Sequence, residues 1–575
     1  MSDKLDYTRN GRGFQIALWS FYVPVFLIVA IIASYFLYIH FLGVNVLFWD
    51  DWDGFLPIYR DFIFNSGFKW NTLLALLKTS HNGNLMVIPF GFMIIEGYLT
   101  HLNSKVIMYT GAFFQCASFV LLSFLAEPIL PKGKSRFWYL VPIACFLFSF
   151  CQYENILWDF QLAWFMIVLF LISALYLVDL ALYGIARFPC FSFGIACATL
   201  ASFSSLQGLA VWPAVAAYIA LKRRPVLKTN LEILRDAFFA TWTVCGATTI
   251  LVFFMVSRFG GYGISSDIAT HGRGLGGLLL YSLAHWRHSF RFLLASWEGV
   301  LLTRASQFPF MGVLLAIFLA IFLMNLYRSK HKYLYALPSS LVLFGLLFGF
   351  MLVIGRCGWG IDEARSSRYS TNTLILVVGL YLGLLSFLKD YPSEKLPYSF
   401  LSVKALFGSF LLTFILVNNS LGIARGRSWS RKQWGNVLIL THYLDIPQFN
   451  MERTIFPNPD FLKVQARFLR SHNLNVYRIN LLSEMPRYYR ELINPPSSYV
   501  LLENQNPQQK KALEQLWFVY TMTPDIMRTS RTNSITPEIL AWACSRTRVN
   551  WHHMHRYLVP YALDYELLCQ KLKKG

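Results

Sequence analysis

The sequence predicts an all-α polytopic membrane protein with about 11 transmembrane helices and a C-terminal external, mainly helical domain. Three observations carry that prediction. The 575 residues are 55% hydrophobic and only 14% charged, with a mean hydropathy of +0.45. Apolar runs near the roughly 20 residues that span a bilayer recur up to about residue 420. The net charge of +21 falls largely in short basic clusters between those runs. Such clusters encode orientation in a membrane and suit an anionic lipid surface; they are not a nucleic-acid footprint.

The first run, Ile16–Ile39, is about 36 Å long as a helix. Lys4, Arg9 and Arg12 precede it, as in a signal sequence, but it is too long for a signal core and no small-residue cleavage site follows. It reads as a retained first helix with a cytoplasmic N-terminus. The clusters Lys132/Lys134/Arg136, Arg187, Lys222/Arg223/Arg224, Arg328/Lys330/Lys332 and Lys389/Lys395 can then all be cytoplasmic. That requires spans near 16–40, 105–126, 137–152, 156–182, 190–206, 207–221, 236–257, 308–327, 333–354, 371–388 and 400–420. Residues 1–420 form the membrane module, with a first external loop at 41–104.

Two stretches do not read as simple crossings. Residues 84–100, NLMVIPFGFMIIEGYLT, are broken by Pro89 and carry Glu96; they suit a helix lying at the external interface. The 190–221 hairpin has 32 residues for two passes, about 48 Å of helix against the roughly 60 Å needed. Its tip, Ser204–Gly208, is expected to stop within the membrane layer, where polar backbone lines a cavity. Residues 421–575 carry 21 Lys/Arg against 11 Asp/Glu and read as the C-terminal external domain.

The nine cysteines show no paired metal-ligand spacing. Cys116, Cys145, Cys190, Cys197 and Cys245 lie in apolar segments as small core residues. Only Cys357, Cys544 and Cys569 stand where an oxidising compartment would reach them. His552, His553 and His555 in WHHMHRY resemble a metal cluster but lack a carboxylate or Cys partner, so no metal ligands are assigned.

With this topology the unusual polar residues fall on one side. The first external loop holds Asp50, Asp51 and Asp53 in LFWDDWDGF, then His81-Asn82-Gly83-Asn84. The turn between the third and fourth spans carries Gln152-Tyr153-Glu154-Asn155, with Asp159 nearby. The short hairpin adds Ser205 and Gln207, and GRCGWGIDEARSSRYS adds Arg356, Asp362, Glu363, Arg365, Arg368 and Tyr369. Ionisable groups near a membrane are costly and usually mark a pathway or a site.

Sugar transfer from a lipid-linked phosphate suits this set. A carboxylate takes the proton of the attacking hydroxyl. Arginines hold the phosphate and stabilise the leaving group. The stretches WDDWD, HNGNLMVIP, QYENILWDFQ, SLQGLAVWP, GRCGWGIDEARSSRYST and FLRSHNLNVYR resemble a subset of bacterial multi-pass proteins within the GT-C class of membrane glycosyltransferases. The resemblance covers most of residues 45–480. HNGN departs from the pattern, in which a basic residue often follows the His.

The resemblance implies a polyprenyl-phosphate-linked sugar donor, a glycan or glycolipid acceptor, and an inner (cytoplasmic) membrane location with a periplasmic C-terminus. It implies Asp51 as base, with Asp50 next to it and Asp53 orienting. Arg356, Arg365 and Arg368 would hold the donor phosphate. Gln152, Glu154 and Asn155 would line the sugar or acceptor pocket, and Trp52, His81, Asn84, Gln207 and Tyr369 complete the substrate contacts. No cofactor is certain; the DxD-like Asp51-Trp52-Asp53 could take a divalent metal. A flippase and a donor synthase are the implied partners. The competing readings are a lipid-linked sugar flippase or transporter, an O-antigen polymerase, and a scaffold whose basic domain binds anionic glycan or lipid.

Overall fold

The computed structural model describes residues 3–65, 67, 69–78, 80–81, 84–227, 229–259, 274–300, 309–391, 399–442 and 455–479. The expectations for Asn82, Gly83, Cys544, Cys569, His552, His553 and His555 lie outside those residues. The regular structure of the described residues is helical apart from a short antiparallel ladder, Ser80–His81 with Asn84–Leu85.

The longer helices, in chain order, are α1 Asp3–Leu42, α2 Val87–Thr100, α3 Ser104–Ala126, α4 Arg136–Leu147 and α5 Leu162–Leu182. They continue with α6 Arg187–Ser202, α7 Val211–Arg223, α8 Ala237–Phe259, α9 Gly274–Ala284 and α10 Trp286–Glu298. The last five are α11 Phe310–Arg328, α12 Ala336–Arg356, α13 Ser370–Asp390, α14 Ser399–His442 and α15 Pro459–Ser471.

Among the described residues eight helical stretches are long and apolar enough to cross a membrane: Phe21–Leu42, Ser104–Ala126, Arg136–Leu157, Asp159–Leu182, Ala237–Ser257, Phe310–Arg328, Lys332–Trp359 and Ser367–Asp390. That is the pattern of a multi-pass membrane protein, with fewer crossing-length helices than the eleven expected. The difference lies mainly in the hairpin. Helix α6 has 16 residues and α7 has 13, about 24 Å and 20 Å, short of a bilayer core of roughly 30 Å. The expected crossing at 400–420 falls within α14. Helix α2, with 14 residues, is also too short to cross.

Local chemistry explains the boundaries. Asn103 begins α3 by accepting the Lys105 backbone N–H at 3.1 Å, filling one of the donors a helix start leaves open. Asn458 caps α15 in the same way, with Pro459 in its first turn. His101 closes α2 in the left-handed conformation.

The chain packs as two compact units, residues 1–43 with 53–427 and residues 44–52 with 428–575. The expected division was at 420/421 alone, with the whole 41–104 loop in the membrane module. In the first unit α5 packs on α3 and α6, and α12 on α13 and α7. Lipid tails are as apolar as these side chains, so dispersion and close fit hold the helices together. Helix α5 supplies fully buried Ile167, Val168, Leu171 and Leu175. Helix α3 instead leaves Phe113, Val120 and Phe124 exposed, as suits acyl chains.

Candidate active site

Within the first unit, polar residues from distant stretches gather in two groups. In the first, an Asp53 carboxylate oxygen and a His81 ring nitrogen lie within 4.8 Å of one another. His81 is buried, and Gly54 makes room for it. A side chain at position 54 would place its Cβ 2.8 Å from His81 Nδ1, so only glycine lets this backbone approach the ring. The other side of His81 meets the edge of Phe160, with ring centroids 5.3 Å apart. An oxygen and an imidazole nitrogen at this separation could together ligate a divalent cation, and Asp50 stands three residues earlier in the chain.

Asn84 pairs with His81 across the ladder. Its Oδ1 accepts the Leu206 backbone N–H at 3.2 Å and the Ser205 hydroxyl at 2.9 Å. Ser205 Oγ also lies 2.5 Å from Gln207 Oε1. The tip of the short α6–α7 hairpin is thus tied to the ladder through Asn84, while Gln207 braces Ser205 within the tip. Close by, α2 carries Glu96, only 8% exposed, whose Oε1 accepts from Thr100 at 2.9 Å. Burial pushes the Glu96 carboxyl up to about 7 against the pull of the Thr100 hydrogen bond, with the charge of Asp159 adding to the rise.

The second group joins QYEN to the segment before α13. Gln152 donates to the Leu147 carbonyl at 2.7 Å and accepts from Thr371 Oγ1 at 2.6 Å. Asn155 Nδ2 donates to Thr371 Oγ1 at 2.7 Å and to the Arg368 carbonyl at 2.9 Å. The Glu154 backbone N–H reaches Ser367 Oγ at 3.3 Å, and its carboxylate accepts from Ser366 Oγ at 3.2 Å. Arg368 lies 3.7 Å from Glu154 Oε2 and 3.1 Å from Glu363 Oε1. The Tyr369 hydroxyl donates to the same Glu363 oxygen at 2.6 Å. Gln152, Glu154, Asn155, Arg368 and Tyr369, predicted separately, therefore share one network.

The three arginines differ. Arg365 is clamped on Glu298 through Nε and Nη2, at 2.9 and 2.8 Å, with side-chain exposures of 13% and 5%. This two-point pair leaves Arg365 little freedom to meet a phosphate. Arg368 is 31% exposed, and Arg356 stacks on Trp359 with its guanidinium carbon 4.6 Å from the ring centre. Both are half-buried. Glu298 is marked by no motif, yet it is the only carboxylate between Asp267 and Asp362. That isolation was the available signal.

In the second unit, Asp51 is fully buried and its Oδ2 accepts the Phe48 backbone N–H at 2.9 Å. Trp52 is also fully buried, its indole N–H donating to the Leu47 carbonyl at 3.2 Å. Its ring therefore has no exposed face for a sugar, whereas Trp49 keeps 38% of its surface. Asp50 is half-buried. Asn475, from FLRSHNLNVYR, donates to Asn45 Oδ1 at 2.9 Å and accepts the Leu47 N–H at 3.3 Å. Lys432 sits 4.7 Å above the Phe48 ring, and Phe48 meets Trp429 edge-on at 5.2 Å. The Asn45–Phe48 stretch leading into WDDW is thus anchored within this unit by residues more than 380 positions away.

The described residues are those of a helical protein with eight stretches long and apolar enough to cross a membrane, and Gln152–Asn155, Arg356 and Arg368–Tyr369 lie at the ends of three of them. Comparison with protein-family models, curated proteins and solved structures finds no match.

Proposed function

We propose that the protein is a glycosyltransferase moving a sugar from a polyprenyl-phosphate donor to a surface glycan or lipid-linked acceptor at the external face of the inner membrane. The observation that supports this reading most is the network joining Gln152, Glu154 and Asn155 to Arg368 and Tyr369. Buried Gln152 and Asn155 fix the segment that carries Arg368, a half-buried guanidinium of the kind that suits a phosphate. Arg368 and Arg356 take the phosphate role, and Arg365 supports the segment that presents them. Asp50 is the better base of the acidic pair, because Asp51 is buried and spends an oxygen on the Phe48 N–H. One base suffices for an inverting transfer, unlike the paired carboxylates of glycoside hydrolysis. A divalent metal on Asp53 and His81 would add charge to the leaving phosphate.

A lipid-linked sugar transporter is the second reading. It is favoured by fully buried Asn372 in the first turn of α13, whose side-chain oxygen and nitrogen find no partner among the described residues.

The test is surface-glycan analysis of Asp50→Asn and Asp51→Asn variants. Asp50→Asn is expected to cut sugar transfer by about 100-fold or more, with expression and membrane insertion intact. Wild-type glycan from both variants would overturn the assignment.

A further inference from the structure

Three buried polar side chains meet at the end of α10 with hydrogen-bonding capacity unused. Trp297 is 4% exposed, and Asn372 and Asn418 are fully buried. The Trp297 indole N–H, both polar atoms of the Asn372 amide and Asn418 Oδ1 find no hydrogen-bond partner among the described residues. Buried polar groups are rarely left so, because each costs free energy until something pairs with it. Neighbouring contacts fix where the three stand. Helices α12 and α13 lie close together: a Cβ at Gly345 would sit 2.6 Å from Leu376 Cβ, and one at Gly379 would sit 2.9 Å from the Val342 nitrogen. That antiparallel register sets Asn372 opposite Gly349. A Cβ at Gly349 would in turn lie 3.3 Å from Trp297 Nε1. Just beyond Trp297, the Gly299 carbonyl accepts from Ser370 Oγ at 3.3 Å and the Val300 carbonyl accepts from Asn418 Nδ2. The unpaired groups thus gather where α10, α12, α13 and α14 converge.

Glu298 and Arg365 neutralise one another here, so the unused groups are neutral N–H donors and amide oxygens. Such a set suits a ligand with several hydroxyls, each both donor and acceptor, rather than an ion. Asn372 also stands four residues after Arg368, about one helical turn. We propose that Asn372, Trp297 and Asn418 form the sugar subsite, pairing with hydroxyls of the lipid-linked sugar while Arg368 holds its phosphate. This rests on the sugar-transfer reading and names the residues that select the sugar. The connection from α12 to α13 lies at the same end and consists of three turns of three or four residues, Cys357–Trp359, Ile361–Ala364 and Ser367–Tyr369. Short turns of this kind yield more readily than long helices when a substrate enters.

The experiment uses Asn372→Leu, similar in size without the amide, and Trp297→Phe, which keeps an aromatic ring without the N–H. For each full-length variant it measures melting temperature in detergent, binding of polyprenyl phosphate by native mass spectrometry, and sugar on the surface glycan of a complemented deletion strain. An amide that pairs with nothing in the folded chain adds nothing to its stability, so Asn372→Leu should melt at or above the parent. Polyprenyl phosphate carries no sugar and should bind both variants as it binds the parent. Transfer should fall about tenfold in each variant, the worth of one hydrogen bond to a substrate hydroxyl. Transfer at the parent's level in either variant would overturn the subsite. A lowered melting temperature in Asn372→Leu, or polyprenyl phosphate binding lost together with transfer, would mark a structural role and overturn it too. A deletion strain whose glycan matches its parent's would instead overturn sugar transfer itself.

Discussion

Glu96 and Glu298 are both buried carboxylates in different surroundings. Glu298 faces the Arg365 guanidinium at 2.8 Å. Among the described residues Glu96 accepts from the Thr100 hydroxyl alone, and burial raises its carboxyl from an ordinary 4.5 to about 7. The folded protein therefore keeps the proton over a range where the unfolded chain has released it. Stability should fall as pH rises from about 4.5 to about 7 and level off above. Glu96→Gln removes that loss. In detergent melts the variant should match the parent near pH 5 and exceed it by on the order of 2 kcal/mol at pH 8. A difference that does not change with pH would contradict this account. At the residue scale the sequence marked the polar groups but not their pairing. Arg365 stood out in GIDEARSSRYS, whereas its partner lies 67 residues earlier in an amphipathic helix, and only the tertiary fold joins them. For the same reason the burial of Trp52, which the resemblance places among the substrate contacts, was not legible.

Helix lengths were legible because a bilayer imposes them: a helix must reach across a fixed thickness whatever it packs against. The expected spans at 105–126, 156–182 and 236–257 have counterparts at Ser104–Ala126, Asp159–Leu182 and Ala237–Ser257. The shortness of the 190–221 hairpin was legible by the same arithmetic, and its tip joins Asn84. How closely helices approach was not legible. Between α10 and α11, a Cβ at Gly312 would lie 2.0 Å from the Leu294 carbonyl oxygen, so the two backbones touch and neither can yield without moving a helix. Gly312→Ala should cost about 2–3 kcal/mol or more, read as a lowered melting temperature in detergent. Gly276→Ala, where nothing lies within 4 Å, should be neutral or slightly stabilising. Equal melting of the two variants would contradict this close approach.

At the scale of the whole molecule, composition and span spacing made the membrane class legible, and the division of the chain was only partly so. A change of character near residue 421 marks the C-terminal region, but nothing local assigns residues 44–52 to it. That assignment rests on contacts such as Asn45 with Asn475, 430 positions apart. The proposed chemistry predicts a phenotype that can be read without knowing the sugar. The most direct measurement is mass spectrometry of the surface glycan and the lipid-linked intermediates in a strain lacking the gene, beside its parent. Sugar transfer predicts a glycan short of one residue type and an accumulated polyprenyl-phosphate-linked sugar, both restored by the intact gene but not by one encoding Asp50→Asn together with Asp51→Asn. A glycan of unchanged composition, with slowed passage of intact lipid-linked sugar across the membrane, would contradict transfer and favour transport.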